Sequence, residues 1–206
     1  MVTRSRKILV TGFGAFGGVQ SNPTERIVQH IGNNPPENIA VSAVTLPVSW
    51  GKMPVILRQH LRAKRWDGVL LMGVAATRPC WSIETTAKNR AANLQDATGE
   101  LPPCDVLVPG APIYLTSSWN SETLVRLVAA TGLPVQLSGD AGEYLCNAAL
   151  YICLAELAGK GNPAGFLHVP ADRGTCSADI KADVGTEFDF DSQLKAFYAI
   201  LNAMAA

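Results

Sequence analysis

The feature that most narrows the fold of this chain is an alternation between short apolar runs and longer stretches whose apolar residues recur every three or four positions. Lys7 to Thr11 reads as a strand, and a helix is expected to start around Pro23-Thr24-Glu25. Ile39 to Val48 reads as the next strand, Gly51 to Lys64 as a helix despite Pro54, and Trp66 to Gly73 as a buried strand. A β-α-β-α-β order of this kind implies parallel strands with helices on both faces, an α/β class. The pattern then breaks at the turn Val74 to Pro79, where Ser82 to Asn89 has strand-like propensity and a long loop runs from Arg90 to Pro112. Loops of that length in compact domains are usually lids, subunit contacts or disordered segments. The alternation resumes with a helix over Ser118 to Ala130, a strand over Leu133 to Leu137, a helix over Ala141 to Ala158 and a strand over Gly165 to Val169. An amphipathic helix over Asp191 to Ala205 closes it. At 206 residues, residues 1–206 are expected to form a single domain with ample chain for a core.

Charge excludes several functions. Seventeen basic residues balance seventeen acidic ones, so nothing suggests a nucleic-acid partner or an anionic membrane surface. No apolar run is long enough to span a bilayer, and Met1 to Lys7 lacks the apolar core of a signal peptide, so a reducing cytoplasm is expected. Five cysteines at irregular spacing, Cys80, Cys104, Cys146, Cys153 and Cys176, argue against both a disulfide framework and a metal site.

One cysteine stands apart. In Ser138-Gly139-Asp140-Ala141-Gly142-Glu143-Tyr144-Leu145-Cys146-Asn147, Asp140 is placed to cap a helix and Glu143 to complete a capping box, so the helix is expected from about Ala141. Cys146 then falls about a turn and a half in, near the positive end of the helix dipole. There the pKa can fall from about 8.5 towards neutrality, although the field weakens beyond the first turn and the dipole alone does not suffice. A nucleophilic thiol also needs a base. His30 closes a short helix before Gly32, and His60 lies on a basic helix face, so both read as surface. His168 instead ends the apolar Gly165-Phe166-Leu167-His168-Val169, at the carboxyl end of a strand, where ligands of open α/β sheets sit. Glu84, between Ile83 and Thr85, is the carboxylate suited to orient such a histidine. By spacing alone, an exposed glutamate paired with Lys88 or Arg90 is the commoner arrangement.

The first strand feeds Gly12-Phe13-Gly14-Ala15-Phe16-Gly17-Gly18, in which Gly12, Gly14 and Gly17 spell a dinucleotide fingerprint. Its context is missing, because Gly17 is still loop and the next strand carries no carboxylate for a ribose. The loop reads better as a wall where backbone approaches a ligand and Phe13 and Phe16 supply apolar surface. Ordinary core packing of both rings is the alternative.

Four stretches taken together, VTGFGAFGG with Asn22-Pro23 following, SIETTAKN, GDAGEYLCN and GFLHVP, resemble the pyroglutamyl peptidase I family of cysteine peptidases. They stand in the family's order from Val10 to Pro170. The resemblance implies a three-layer α/β/α sandwich with an open, twisted, mostly parallel sheet. It also implies an exopeptidase that removes N-terminal pyroglutamate from peptides through an acyl-enzyme, without metal or cofactor. Residue by residue, it places the nucleophile on Cys146, the base on His168 and the acid on Glu84. The pyroglutamate pocket falls on Phe13, Phe16, Tyr144 and Leu145, with Asn22 beside it. Val74 stands where many members have glutamine, so a side-chain contact is lost there. Ala15 replaces the usual proline between the phenylalanines. The family is often oligomeric, which makes a homo-oligomer, a dimer or tetramer, an expectation here. Two other readings stay open at this stage, a non-catalytic binder of pyroglutamyl or lactam ligands and, behind it, a nucleotide-dependent oxidoreductase.

Overall fold

The computed structural model describes residues 5–16, 22–171 and 188–205. Gly17 and Gly18 of the glycine loop, and Cys176, lie outside the described residues. The strands are β1 (Arg6–Phe13), β2 (Ile39–Leu46), β3 (Gly68–Val74), β4 (Trp81–Glu84), β5 (Thr86–Lys88), β6 (Tyr114–Thr116), β7 (Val135–Ser138) and β8 (Ala164–Val169). The helices are α1 (Pro23–Asn33), α2 (Met53–Ala63), α3 (Ser121–Ala129), α4 (Leu145–Leu157) and, in this numbering, α5 (Phe190–Ala205). Six strands form one sheet in the order β2-β1-β3-β8-β4-β7, and β5 pairs with β6 separately. Every pairing in the large sheet is parallel except β4 with β8, which is antiparallel.

The sheet is covered on both faces, giving the α/β/α sandwich. Leu9, Val69, Leu71 and Phe166 face α2 and α4, while Ile8, Val10, Leu70, Met72 and Leu167 face α1, α3 and α5. Strands buried on both faces need no alternation, which is why β3 reads as a continuous apolar run. Pro54 is tolerated because it stands in the first turn of α2, where its missing N–H has no helical partner to lose. Gly12 has a packing reason, since a Cβ there would lie 2.6 Å from the carbonyl oxygen of Thr24 in α1. The chain crosses from β1 to β2 on one side and returns to β3 on the other. Ligand crevices form at such a reversal, outside the carboxyl ends of the strands.

The strand-like segment after the turn at Val74 to Pro79 divides at Thr85 into β4, within the large sheet, and β5, within the small one. The long loop that follows is tied down along its length. Asn89 bonds the backbone of Val108 and Ala111, Ala92 N donates to Glu143 O, and Ala97 N donates to Val48 O. Among the described residues, no helix is long and apolar enough to cross a membrane.

Candidate active site

The helix that carries Cys146 begins later than its sequence suggests. Gly142 has φ +79°, outside helical space, and Asp140 accepts from Gly142 N at 2.9 Å in a local turn rather than capping a helix. Glu143 turns away to Lys88 and Arg90. The expected capping box is therefore corrected. Tyr144 is the N-cap, with no side-chain cap bond, and α4 starts at Leu145. Cys146 is the second helical residue, closer to the positive end of the helix than a turn and a half in.

Three strand ends converge on it. His168 of β8 is in register with Gly73 of β3, so both face α4 side by side. A Cβ added at Gly73 would lie 2.7 Å from Cys146 Sγ and 2.9 Å from Phe166 Cζ. The absent side chain at Gly73 is thus the space the thiol occupies, next to the histidine. Phe166, two residues before His168 and on the same face, packs against its ring with centroids 4.8 Å apart. Among the described residues Sγ has no hydrogen-bond partner; catalytic bonds of this kind often tighten only around bound substrate.

Glu84 is fully buried, which rules out the surface pairing with Lys88 or Arg90. Its Oε1 lies 2.7 Å from His168 Nδ1 and accepts from Arg78 Nη1 at 2.6 Å. Arg78 can only donate, so that oxygen accepts from it, and with Glu84 as a carboxylate the proton is assigned to His168 Nδ1. His168 Nε2 then presents a lone pair, the tautomer a base requires. Arg78 is a residue the sequence reading passed over as part of a turn. Its Nη2 donates to Asp140 O at 2.9 Å, on the loop leading into α4.

The thiol does not behave as its helix position alone suggests. Cys146 keeps part of its surface open, yet burial first and the Glu84 carboxylate second push its pKa up to about 12, against a lowering influence from Arg78. Low-dielectric packing around Sγ opposes the fall that the helix position permits, and the resting group is a thiol. Cys153, seven residues along the same helix, is wholly buried and its pKa is also raised, chiefly by burial.

Beside Cys146 a small hollow of about 20 Å³ is lined by Phe13, Phe16, Asn22, Val48, Val74, Tyr144 and Leu145. All six pocket residues named from the sequence lie on it, with Val48 as an addition. Phe13 is also core, so its two readings are both realised. Asn22 is largely committed as the N-cap of α1, its Oδ1 accepting from Thr24 N and Oγ1 and its Nδ2 donating to Gly14 O. Tyr144 is held at the rim by its hydroxyl, which donates to Gln95 O at 3.1 Å, and by edge-on contact with Trp50 at 5.4 Å. Among the described residues, no group of three or more His, Cys, Asp or Glu is placed to hold a metal ion.

The pyroglutamyl peptidase family model matches residues 6–201. The pyrrolidone-carboxylate peptidase of Pyrococcus furiosus is 36% identical over 167 residues, 80% of each chain. That of Streptomyces coelicolor is 33% identical over 168 residues, 80% of this chain and 77% of the other. Among solved structures, a mutant pyrrolidone carboxyl peptidase from Pyrococcus furiosus superposes with a TM-score of 0.88 at 32% identity, covering 97% of both chains. The pyrrolidone carboxyl peptidase of Thermococcus litoralis gives 0.83 at 26% identity, over 97% of this chain and 93% of that one.

Proposed function

The chain belongs to the pyroglutamyl peptidase family, and from that premise we propose that Cys146, His168 and Glu84 perform the family's reaction, with the adjoining hollow as the pyroglutamate pocket. The activity is that of a cysteine peptidase removing N-terminal pyroglutamate from peptides. The observation that carries the assignment of residues is the placement of Sγ in the gap at Gly73, beside a Glu84-oriented His168 and at the mouth of an apolar hollow.

With a resting thiol, proton transfer and attack are coupled. His168 Nε2 takes the Cys146 proton as Sγ bonds to the carbonyl carbon joining pyroglutamate to the next residue. The carbonyl oxygen becomes an oxyanion facing the first turn of α4, whose N–H groups have no intrahelical acceptor. The imidazolium, stabilised by Glu84, gives its proton to the leaving amine as the C–N bond breaks. Water, deprotonated by His168, then cleaves the thioester and releases pyroglutamate and the thiol.

The pocket reads its substrate mainly by refusing charge. Asn22 already uses its amide oxygen and Tyr144 its hydroxyl proton, and Val74 offers no polar side chain, so recognition of the lactam amide falls chiefly to backbone groups. An uncyclised glutaminyl residue brings an ammonium into an apolar hollow at a cost of several kcal/mol. A preference for pyroglutamyl over glutaminyl amides of at least about a thousandfold follows, at about 1.4 kcal/mol per factor of ten.

We also assign the chain to a single peptidase domain working in a reducing cytoplasm. Both helix layers pack on one sheet, and Cys80, Cys104, Cys146 and Cys153 are unpaired thiols. For self-association, exposed Val106, Ile113 and Tyr114 supply apolar surface; a dimer or tetramer by light scattering supports it and a monomer excludes it.

The deciding experiment is hydrolysis of a chromogenic pyroglutamyl amide by wild type and Cys146→Ala, repeated with chelator and after alkylation mapped by peptide. A loss on the order of a millionfold in the folded variant, with label on Cys146 and no effect of chelator, is expected. Activity surviving in Cys146→Ala, or activity-linked label on another cysteine, rules the assignment out.

A further inference from the structure

Glu84 is a carboxylate with no exposed surface, and among the described residues its Oε2 has no hydrogen-bond partner. A buried charge persists only when an opposite charge and good hydrogen bonds offset its desolvation. While His168 is neutral, as a base must be before it acts, the histidine supplies no such charge. The cation in contact is Arg78, whose Nη1 lies 2.6 Å from Glu84 Oε1.

We infer that Arg78 is a positioning residue for the Cys146–His168–Glu84 site, keeping Glu84 anionic while His168 is neutral and tying its orientation to the loop that leads into the nucleophile's helix. The inference rests on the assignment of those three residues above. Arg78 reaches both ends from the turn between β3 and β4, itself closed by Arg78 N donating to Ala75 O at 3.0 Å. One nitrogen of its fork takes Glu84 Oε1, and the other takes Asp140 O, five residues before α4. A planar guanidinium holds two acceptors at a set angle, which an ammonium cannot do. The acid and the loop leading into the nucleophile's helix are therefore registered against each other by one group.

The charge count shows what its loss does. At rest, Arg78 and Glu84 cancel while His168 and Cys146 are neutral. During attack, the new imidazolium and the oxyanion form a second balanced pair. Without Arg78, the buried carboxylate retains a proton on His168 as its only counter-charge, and the base stays occupied to higher pH. The other titratable groups facing this cluster are Cys146 from α4, Cys80 beside Arg78, and Asp140, which is largely exposed and paired to Lys88 Nζ at 3.0 Å. None of these replaces the guanidinium's charge on Glu84.

The test is the pH dependence of kcat and KM for a pyroglutamyl amide in wild type, Arg78→Gln, Arg78→Lys and Glu84→Gln. For Arg78→Gln we expect kcat at neutral pH to fall about a hundredfold, with KM changed less than about threefold. The acid limb should move up by about one to three pH units. Because the Arg78 side chain is 27% exposed, millimolar methylguanidinium should restore part of the rate, and methylammonium less. A merely structural arginine would show lowered thermal stability with neither a shifted limb nor rescue. If Arg78→Gln keeps the wild-type rate and limb while Glu84→Gln is impaired, the inference is overturned. If Glu84→Gln is itself unimpaired, it is the assignment of the three residues that fails. Should Arg78→Gln not fold, Arg78→Lys decides: a reduced kcat on an unmoved acid limb supports the fork, and an unchanged kcat overturns it.

Discussion

Glu84 and Asp96 are both buried carboxylates, and the protein satisfies them in opposite ways. Glu84, on the sheet-end floor of the site, is bonded by ionisable side chains from two other elements, Arg78 and His168. Asp96, in the long loop that backs the site's wall through Trp50 and Tyr144, is bonded by N–H groups of Trp50, Thr98 and Glu100 and by the hydroxyl of Thr98. Burial alone raises the pKa of Asp96, but the Thr98 hydroxyl and those backbone donors bring it down to about 2. Fixed dipoles make such a carboxylate a staple with no proton to exchange near neutral pH. A carboxylate that shares its oxygen with an imidazole responds to every proton the imidazole gains. The floor is built for chemistry and the wall for shape. Asp96 holds Trp50, Trp50 meets Tyr144 edge-on, and Tyr144 lines the hollow.

The contrast is broken most directly at Glu84. Glu84→Gln preserves shape while removing the charge that stabilises imidazolium, and turnover is expected to fall by about 10² to 10⁴ with KM little changed. Steady-state kinetics with a pyroglutamyl amide measures it, and an unchanged kcat would place Glu84 with Asp96 as a structural acid. Gly73→Ala tests the floor's geometry without touching a charge. Its Cβ would press on Sγ and on the Phe166 ring, and displacing the nucleophile by about 1 Å costs on the order of a hundredfold in turnover. Wild-type kinetics in a folded Gly73→Ala would mean that the thiol has room to work elsewhere.

On the wall, effects should move from turnover to binding. Phe16→Ala removes about 1 to 3 kcal/mol of apolar contact, so KM should rise about five- to a hundredfold while free-amine substrates stay poor. A gain of glutaminyl hydrolysis would show that charge exclusion lies outside this ring. Asp96→Asn should affect catalysis least and stability most. A carboxylate with a depressed folded pKa stabilises fully above its unfolded value, near about 4, and loses that contribution as pH falls towards about 2. The wild type should therefore melt above Asp96→Asn at neutral pH, with the gap closing across that acid window. Parallel melting curves check this, and a gap independent of pH would assign the stabilisation to something other than the charge.

What the sequence determined by itself was whatever depends on near neighbours. Apolar periodicity placed the α/β alternation, Pro23-Thr24-Glu25 the start of α1, and the apolar run ending at His168 a histidine at a strand's carboxyl end. Phe13 and Phe16 were legible as a wall because a glycine-rich loop follows a buried strand. Tertiary structure alone decided the rest, because it turns on residues brought together across the sheet. Glu84 is buried only because β4 pairs with both β7 and β8, against a local sequence that fits an exposed strand equally well. Gly73 makes room for Sγ only because β3 lies beside β8 under α4, and Arg78 reaches Glu84 and Asp140 only once the turn after β3 folds over the end of β4. The thiol's pKa followed the same division. A helix dipole can be read along one segment, whereas desolvation is the sum of every atom the fold packs around Sγ, and no single stretch of the chain contains that sum.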